Sequence, residues 1–259
     1  SGPCSHNIWA PEIHFLKDRW YVYFTANDGG GDETRRIYVL ENKSSDPMEG
    51  VWEEKGALNT QYAGLDGTVF QHRGKLFFLY AGYGNYPDYG SALFMTEMIN
   101  PWTLGNENIL LSKPEYDWEK RGGMAINEGP AILKRNGKIF VIYSASTTWT
   151  EDYCLGMLTA SDLSDLMIPE SWTKSSQPVF KKSVQNQAIA PGHNSFTQSP
   201  DGREDWIVYH AITETSGEKL DLTLRSTRAQ KFGWNTDGTP NFGEPVSCTK
   251  EINVPSGEE

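Results

Sequence analysis

Cysteine is scarce: the 259 residues hold only Cys4, Cys154 and Cys248. Three thiols close at most one internal disulfide, so a disulfide framework does not define this fold. No CxxC pair and no Cys/His cluster at zinc spacing occurs. An odd count in a secreted chain leaves a free thiol, or one whose partner lies elsewhere. Long hydrophobic runs are also missing. The longest are strand-length, such as Ile139 to Tyr143, far short of the ~20 residues of a membrane helix, so no membrane partner is expected. Sustained 3.6-residue periodicity is absent, which leaves helices few and short. Basic residues are outnumbered, 23 Lys and Arg against 34 Asp and Glu, for a net charge of −11. Such a surface repels phosphate backbones and argues against nucleic acid. It suits a neutral substrate and equally serves solubility. The chain lacks an initiating Met and a signal-peptide pattern, as a processed or partial product would. One glycosylation triplet, Asn42-Lys43-Ser44, points to secretion and an extracellular location.

Aromatics, in contrast, are plentiful: nine Trp, twelve Tyr and eleven Phe. They fall into a repeat. Trp9 to Ala26, Asp66 to Gly82, Asn127 to Ser146 and Pro191 to Ala211 share one pattern. Each opens with a polar residue beside small residues or Pro, followed by an apolar strand. A turn follows (Lys17-Asp18, Arg73-Gly74, Asn136-Gly137, Asp201-Gly202), then a second strand ending in an aromatic. These are hairpin signals. Tyr23, Tyr80, Tyr143 and Tyr209 mark the second strands, at steps of 57, 63 and 66 residues. Each step leaves room for two more strands. The third strands are expected at Arg36–Leu40, Ser91–Met95, Cys154–Leu158 and Leu222–Ser226. Four strands per unit at a long fixed period predict an all-β fold of β-propeller type, with about four blades in this chain. No linker divides it, so residues 1–259 read as a single domain.

In a propeller the first strand of each blade lines the central channel. The polar residues opening those strands are Glu12, Asp66, Glu128 and His193. Taken singly, each could merely hydrogen-bond a neighbouring blade. Together, three carboxylates and an imidazole on an axis suit catalysis. Two facing carboxylates fit glycoside hydrolysis, in which one protonates the leaving oxygen and the other activates water or attacks carbon. Trp9, Tyr62, Tyr83, Tyr86 and Trp149 are candidates for stacking on sugar faces, or for packing.

The run Ser5-His6-Asn7-Ile8-Trp9-Ala10-Pro11-Glu12-Ile13-His14 resembles the second-blade opening of glycoside hydrolase family 43, a family of five-bladed propellers. Leu65-Asp66-Gly67-Thr68 resembles its third-blade motif, and Asn127-Glu128-Gly129-Pro130 its general-acid motif. Pro191-Gly192-His193-Asn194-Ser195-Phe196 and the stretch Thr227 to Pro240 are similar to its last blade. The resemblance runs from about Ser5 to Val246 and is nearest to the exo-acting α-1,5-L-arabinofuranosidases. Tyr153-Cys154-Leu155-Gly156 and Pro114 to Glu119 support that subgroup. It implies that Glu128 is the general acid and that Asp66 tunes and orients it. His193 and Arg228 would bind substrate, alongside Trp9, the stacking candidate that the aromatic content suggests. His193 would also face an ion, a structural calcium or sodium, on the axis. No cofactor is required for the reaction. The substrate would be an arabinose-containing polysaccharide or oligosaccharide, cleaved with inversion. A β-xylosidase or endo-arabinanase of the same family is a rival reading, as is a non-catalytic carbohydrate-binding propeller.

One departure stands out. The family's general base is an Asp in the blade before the Trp-Ala-Pro-Glu motif, and none of the eight residues before Trp9 is acidic. The expectation is that an N-terminal segment carrying the first blade belongs before this stretch. The alternatives are a four-bladed relative and a second chain that supplies the blade. Four blades alone would leave an apolar face open to association.

Overall fold

The computed structural model describes residues 2–84, 90–214 and 219–258. It is all-β, built from four four-stranded antiparallel sheets, each meandering in sequence order as a propeller blade does. The first sheet holds β1 (His6–Leu16), β2 (Arg19–Asn27), β3 (Arg36–Asn42) and β4 (Trp52–Ala57). The second holds β5 (Gly64–His72), β6 (Lys75–Gly82), β7 (Ala92–Asn100) and β8 (Thr103–Ser112). The third holds β9 (Asn127–Arg135), β10 (Lys138–Ala145), β11 (Cys154–Ser161) and β12 (Thr173–Lys174). The fourth holds β13 (Ile189–Gln198), β14 (Asp205–Ile212), β15 (Ser226–Trp234) and β16 (Pro240–Asn241).

Two-residue turns close the first three hairpins, with positive φ at Lys17 and Asp18, Arg73 and Gly74, and Asn136 and Gly137. That is the backbone a two-residue hairpin needs. The fourth hairpin differs, because Gln198 pairs with Asp205 across a longer loop. One expected strand is corrected. Leu222–Leu224 form a 3₁₀ turn, capped by Asp221 accepting from the Thr223 N–H and hydroxyl, and the strand starts at Ser226. The Asp cap offers the backbone a local partner that competes with the ladder.

The chain divides into two compact units. The first comprises Ser1–Lys113, Glu128–Pro130 and Met167–Pro169, and the second comprises the remainder. The first unit is centred on an aromatic chain. Tyr23 lies 6.0 Å from Phe78, Phe78 5.8 Å from Tyr80, and Tyr80 5.6 Å from Phe94. Strand β5 packs against β1 and β2, and seven of its residues from Gly64 on are buried. The face of β1 is different: Ile8, Trp9, Ile13 and Phe15 are all exposed. The second unit buries Phe140, Leu155, Phe180, Ile207, Tyr209 and Phe232 in one cluster. All three cysteines are free thiols. Among the described residues no helix is long and apolar enough to cross a membrane.

Candidate active site

The first strand of each sheet passes through a left-handed residue soon after it starts. These are Ala10 (φ 46°), Asp66 (φ 55°), Gly129 (φ 53°) and His193 (φ 46°), with a second one earlier in β1, Asn7 (φ 49°), and in β13, Ala190 (φ 51°). Register shifts accompany them in β1, β5 and β13. A left-handed non-glycine residue costs about 1–2 kcal/mol, so the surroundings must hold it there. Glu12 and Glu128 therefore do not occupy the same position as Asp66 and His193. Glu12 follows the left-handed residue by two, and Glu128 precedes it by one.

A backbone N–H turned out of the ladder needs another acceptor. The Asp66 N–H donates to Thr25 Oγ1 on β2 at 3.1 Å, and the His193 N–H to Ser144 Oγ on β10 at 2.7 Å. The Gly129 N–H donates to Asp66 Oδ2 at 3.0 Å. Two acceptors are hydroxyls and the third is a carboxyl oxygen. Asp66 is buried, and Gly129 adjoins Glu128, whose side chain is half-buried. The Glu128–Pro130 stretch packs with the first unit, and Asp66 holds the main chain beside Glu128 in place. Gly129 suits its position because its φ of 53° is disfavoured for other residues. Gly67, after Asp66, leaves no room for a side chain, since a Cβ there would meet Phe78 at 2.6 Å. Burial raises the Tyr83 phenol well above its usual range. The negative charges of Asp32, Glu128 and Asp66 add to this and Arg35 opposes it, which puts Tyr83 within the field of both carboxyls.

Trp9 and Arg35 lie at the same end of the first sheet. Trp9 pairs with Thr25, the residue that receives the Asp66 N–H. The Arg35 guanidinium carbon lies 3.8 Å from the Trp9 ring centre. The loop from Asp28 to Thr34 delivers Arg35, whose Nε and Nη2 both donate to Asp32 Oδ1, at 3.1 and 2.6 Å. Glu12 meets His14 Nε2 at 3.0 Å instead of another carboxyl. Tyr62 packs on Phe94 at 4.9 Å, and Tyr86 lies outside the described residues. Sequence reasoning missed Arg35 because its signal, an Arg following a Gly-rich loop, is common at surfaces.

His193 and Arg228 belong to the second unit. Arg228 is buried. Its Nη1 donates to the Val246 carbonyl, and its Nη2 to the Gln187 carbonyl and Thr213 Oγ1. Its Nε has no partner among the described residues. His210 stacks on Tyr153 at 5.7 Å with the planes 7° apart. Burial, with Arg225 and His193 nearby, lowers the His210 imidazole to about 3. Trp149 has Lys219 Nζ 5.7 Å above its ring.

Glu119, from the Pro114-Glu115-Tyr116-Asp117-Trp118-Glu119 run, is fully buried. It accepts from Asn127 Nδ2 at 2.9 Å and the Tyr143 hydroxyl at 3.0 Å, and pairs with Lys174 at 2.8 Å. Burial pushes its carboxyl up, but Lys174 and the Glu115 and Tyr116 amides outweigh this and hold it below its ordinary value. Asn127, one of its partners, is the residue before Glu128 in sequence.

Among the described residues no group of three or more His, Cys, Asp or Glu side chains could hold a metal. The groups acting on His210 are the cation Arg225 and the imidazole of His193. Calcium and sodium prefer several oxygen ligands.

Four four-stranded antiparallel sheets, with the Asp66 carboxyl bonded to the Gly129 N–H beside Glu128, define the class as a β-propeller. Residues 1–240 match the family of glycosyl hydrolases 43, and the chain belongs to it. It is 46% identical over 251 residues to the extracellular exo-α-(1→5)-L-arabinofuranosidase of Streptomyces avermitilis, covering 95% of this chain and 52% of that protein. It is 41% identical over 250 residues to α-L-arabinofuranosidase 43 of Humicola insolens, covering 95% and 51%. The crystal structure of the α-L-arabinofuranosidase from Lactobacillus brevis superposes with a TM-score of 0.88 at 41% identity, over 97% of this chain and 81% of that one. The chain spans about half the length of these two curated relatives.

Proposed function

We propose that this chain is catalytic machinery of a secreted, exo-acting α-L-arabinofuranosidase that cleaves arabinose-containing oligo- or polysaccharide with inversion. The observation that carries the reading is the 3.0 Å bond from the Gly129 N–H to Asp66 Oδ2, which fastens the Glu128 segment to a buried carboxyl. The relatives at 41–46% identity are named as arabinofuranosidases, and one is named extracellular.

In this reading Glu128 donates a proton to the glycosidic oxygen as it leaves. Its half-buried setting keeps bulk water from competing for that proton. Asp66 fixes the donor's position. A water attacks the anomeric carbon from the opposite face, activated by a second carboxylate about 6.5–9.5 Å from the first. We assign that base to a further blade, from a flanking segment or a second chain. The exposed Ile8, Ile13 and Phe15 on β1 suit such a cover, and the Lactobacillus brevis structure extends beyond the matched region. Trp9 offers an exposed ring for stacking on a sugar face. His193 and Arg228 would bind substrate, as the family resemblance implies. The full-length protein, incubated with α-1,5-arabino-oligosaccharides and followed by proton NMR, is expected to release arabinose whose first-formed anomer is inverted. Release of xylose from xylo-oligosaccharides in its place would overturn the assignment.

A further inference from the structure

The Arg35 guanidinium is held on three sides. Its Nε and Nη2 are committed to Asp32, its face lies against Trp9 at 3.8 Å, and its side chain is only 3% exposed. Its Nη1 is buried and has no hydrogen-bond partner among the described residues. Buried charged donors are normally satisfied, and an exception calls for an explanation, such as strain, a catalytic role, an ordered water or an ion. The rigid fork means that fixing Nε and Nη2 also fixes the direction of Nη1.

Its surroundings show what it could complete. Trp9 pairs with Thr25, and Thr25 Oγ1 takes the Asp66 N–H. Asp66 takes the Gly129 N–H beside Glu128. Tyr83 lies within the field of Arg35, Glu128 and Asp66 together. All of these residues belong to the first unit. A cation against the inner face of an indole, with the outer face open, leaves the ring rigid and free to stack.

We infer that Arg35 is a substrate-binding residue, with Nη1 donating a hydrogen bond to a hydroxyl of the arabinosyl chain while Trp9, braced on the same guanidinium, stacks on that sugar. The ligand class is a neutral furanosyl oligosaccharide, and the inference rests on the proposed arabinofuranosidase activity. Asp32 is the positioning residue. Its carboxylate neutralises the guanidinium, so the site presents a directed donor with little net charge. That matches an uncharged sugar better than a bare cation would.

The test uses the full-length protein as wild type, Arg35→Met and Arg35→Lys, assayed on α-1,5-arabinotriose with thermal unfolding in parallel. Methionine keeps much of the stem's packing and removes the donor. Lysine keeps the charge and loses the fork. Arg35→Met is expected to raise KM about tenfold or more while kcat stays within about threefold, with Arg35→Lys in between. The unfolding midpoint should stay within about 3 °C of wild type, which a purely structural role would not allow. An unchanged KM in an active Arg35→Met variant would overturn the inference and leave the activity assignment standing. So would a fall in kcat alone with a displaced pH profile, since Arg35 would then act on the acid and not on the sugar. A wild-type protein that releases no arabinose would overturn the activity reading and this inference together.

Discussion

Arg35 and Arg228 are both buried arginines, one in each unit, and they use their forks in opposite ways. Arg228 directs both terminal nitrogens to main-chain carbonyls and Thr213, tying β15 to Val246 and Gln187, and keeps only its inner Nε. Arg35 directs its inner nitrogen and one terminal nitrogen to a single carboxylate and keeps the other terminal nitrogen. The lesson is that burial of a charged side chain does not by itself say whether it serves fold or ligand. The inference for Arg35 rests on how its donors are distributed.

Four outcomes would break or sharpen this contrast. Arg228→Met should cost about 3–4 kcal/mol in urea unfolding, because it strands the Gln187 and Val246 carbonyls. A loss below about 1 kcal/mol would remove the distinction between the two arginines. Next comes the pH dependence of the second unit. His210 is lowered to about 3 from 6.5, so the unfolded chain binds a proton that the native state refuses. Stability is then full above pH 6.5 and falls as pH drops from 6.5 toward 3. The loss is about 3 kcal/mol after allowing for partial exposure. His210→Phe should flatten that slope while keeping the stack on Tyr153. The first unit responds later. Glu41, buried and then held down to about 2 by Lys55, Arg19 and Tyr21, contributes stability that is full above about pH 4.5 and is lost as pH falls toward 2. Smallest are Thr25→Val and Ser144→Ala, about 1–2 kcal/mol each by unfolding, since each leaves one turned-out N–H without its acceptor.

Much of the fold was legible in sequence. The hairpin turns at Asn136-Gly137 and Arg73-Gly74 signal their geometry directly, and the four tyrosines mark strands whose packing requires them. The fourth blade was less legible. Leu222-Thr223-Leu224 reads as a strand by apolar alternation, but the Asp221 side chain captures the Thr223 N–H, a local competition that periodicity does not weigh. Within the site, Asp66 and Glu128 stood out as acidic residues in small-residue motifs. Their coupling through the Gly129 N–H did not, because a left-handed residue leaves no mark in composition when it is an Asp or a His. Arg35 and Glu119 were also hidden, since a charged residue in a loop looks the same whether it is solvated or buried.

The central claim is that Glu128 protonates the leaving group, held in place by Asp66. The most direct measurement compares Glu128→Gln with wild type on two full-length preparations and two substrates, α-1,5-arabinobiose and an aryl arabinofuranoside with a strongly acidic phenol. The variant should lose about 10²–10⁴ in kcat/KM on the disaccharide, whose leaving group needs the proton, and far less on the aryl substrate, whose leaving group does not. Equal losses on both would contradict the account.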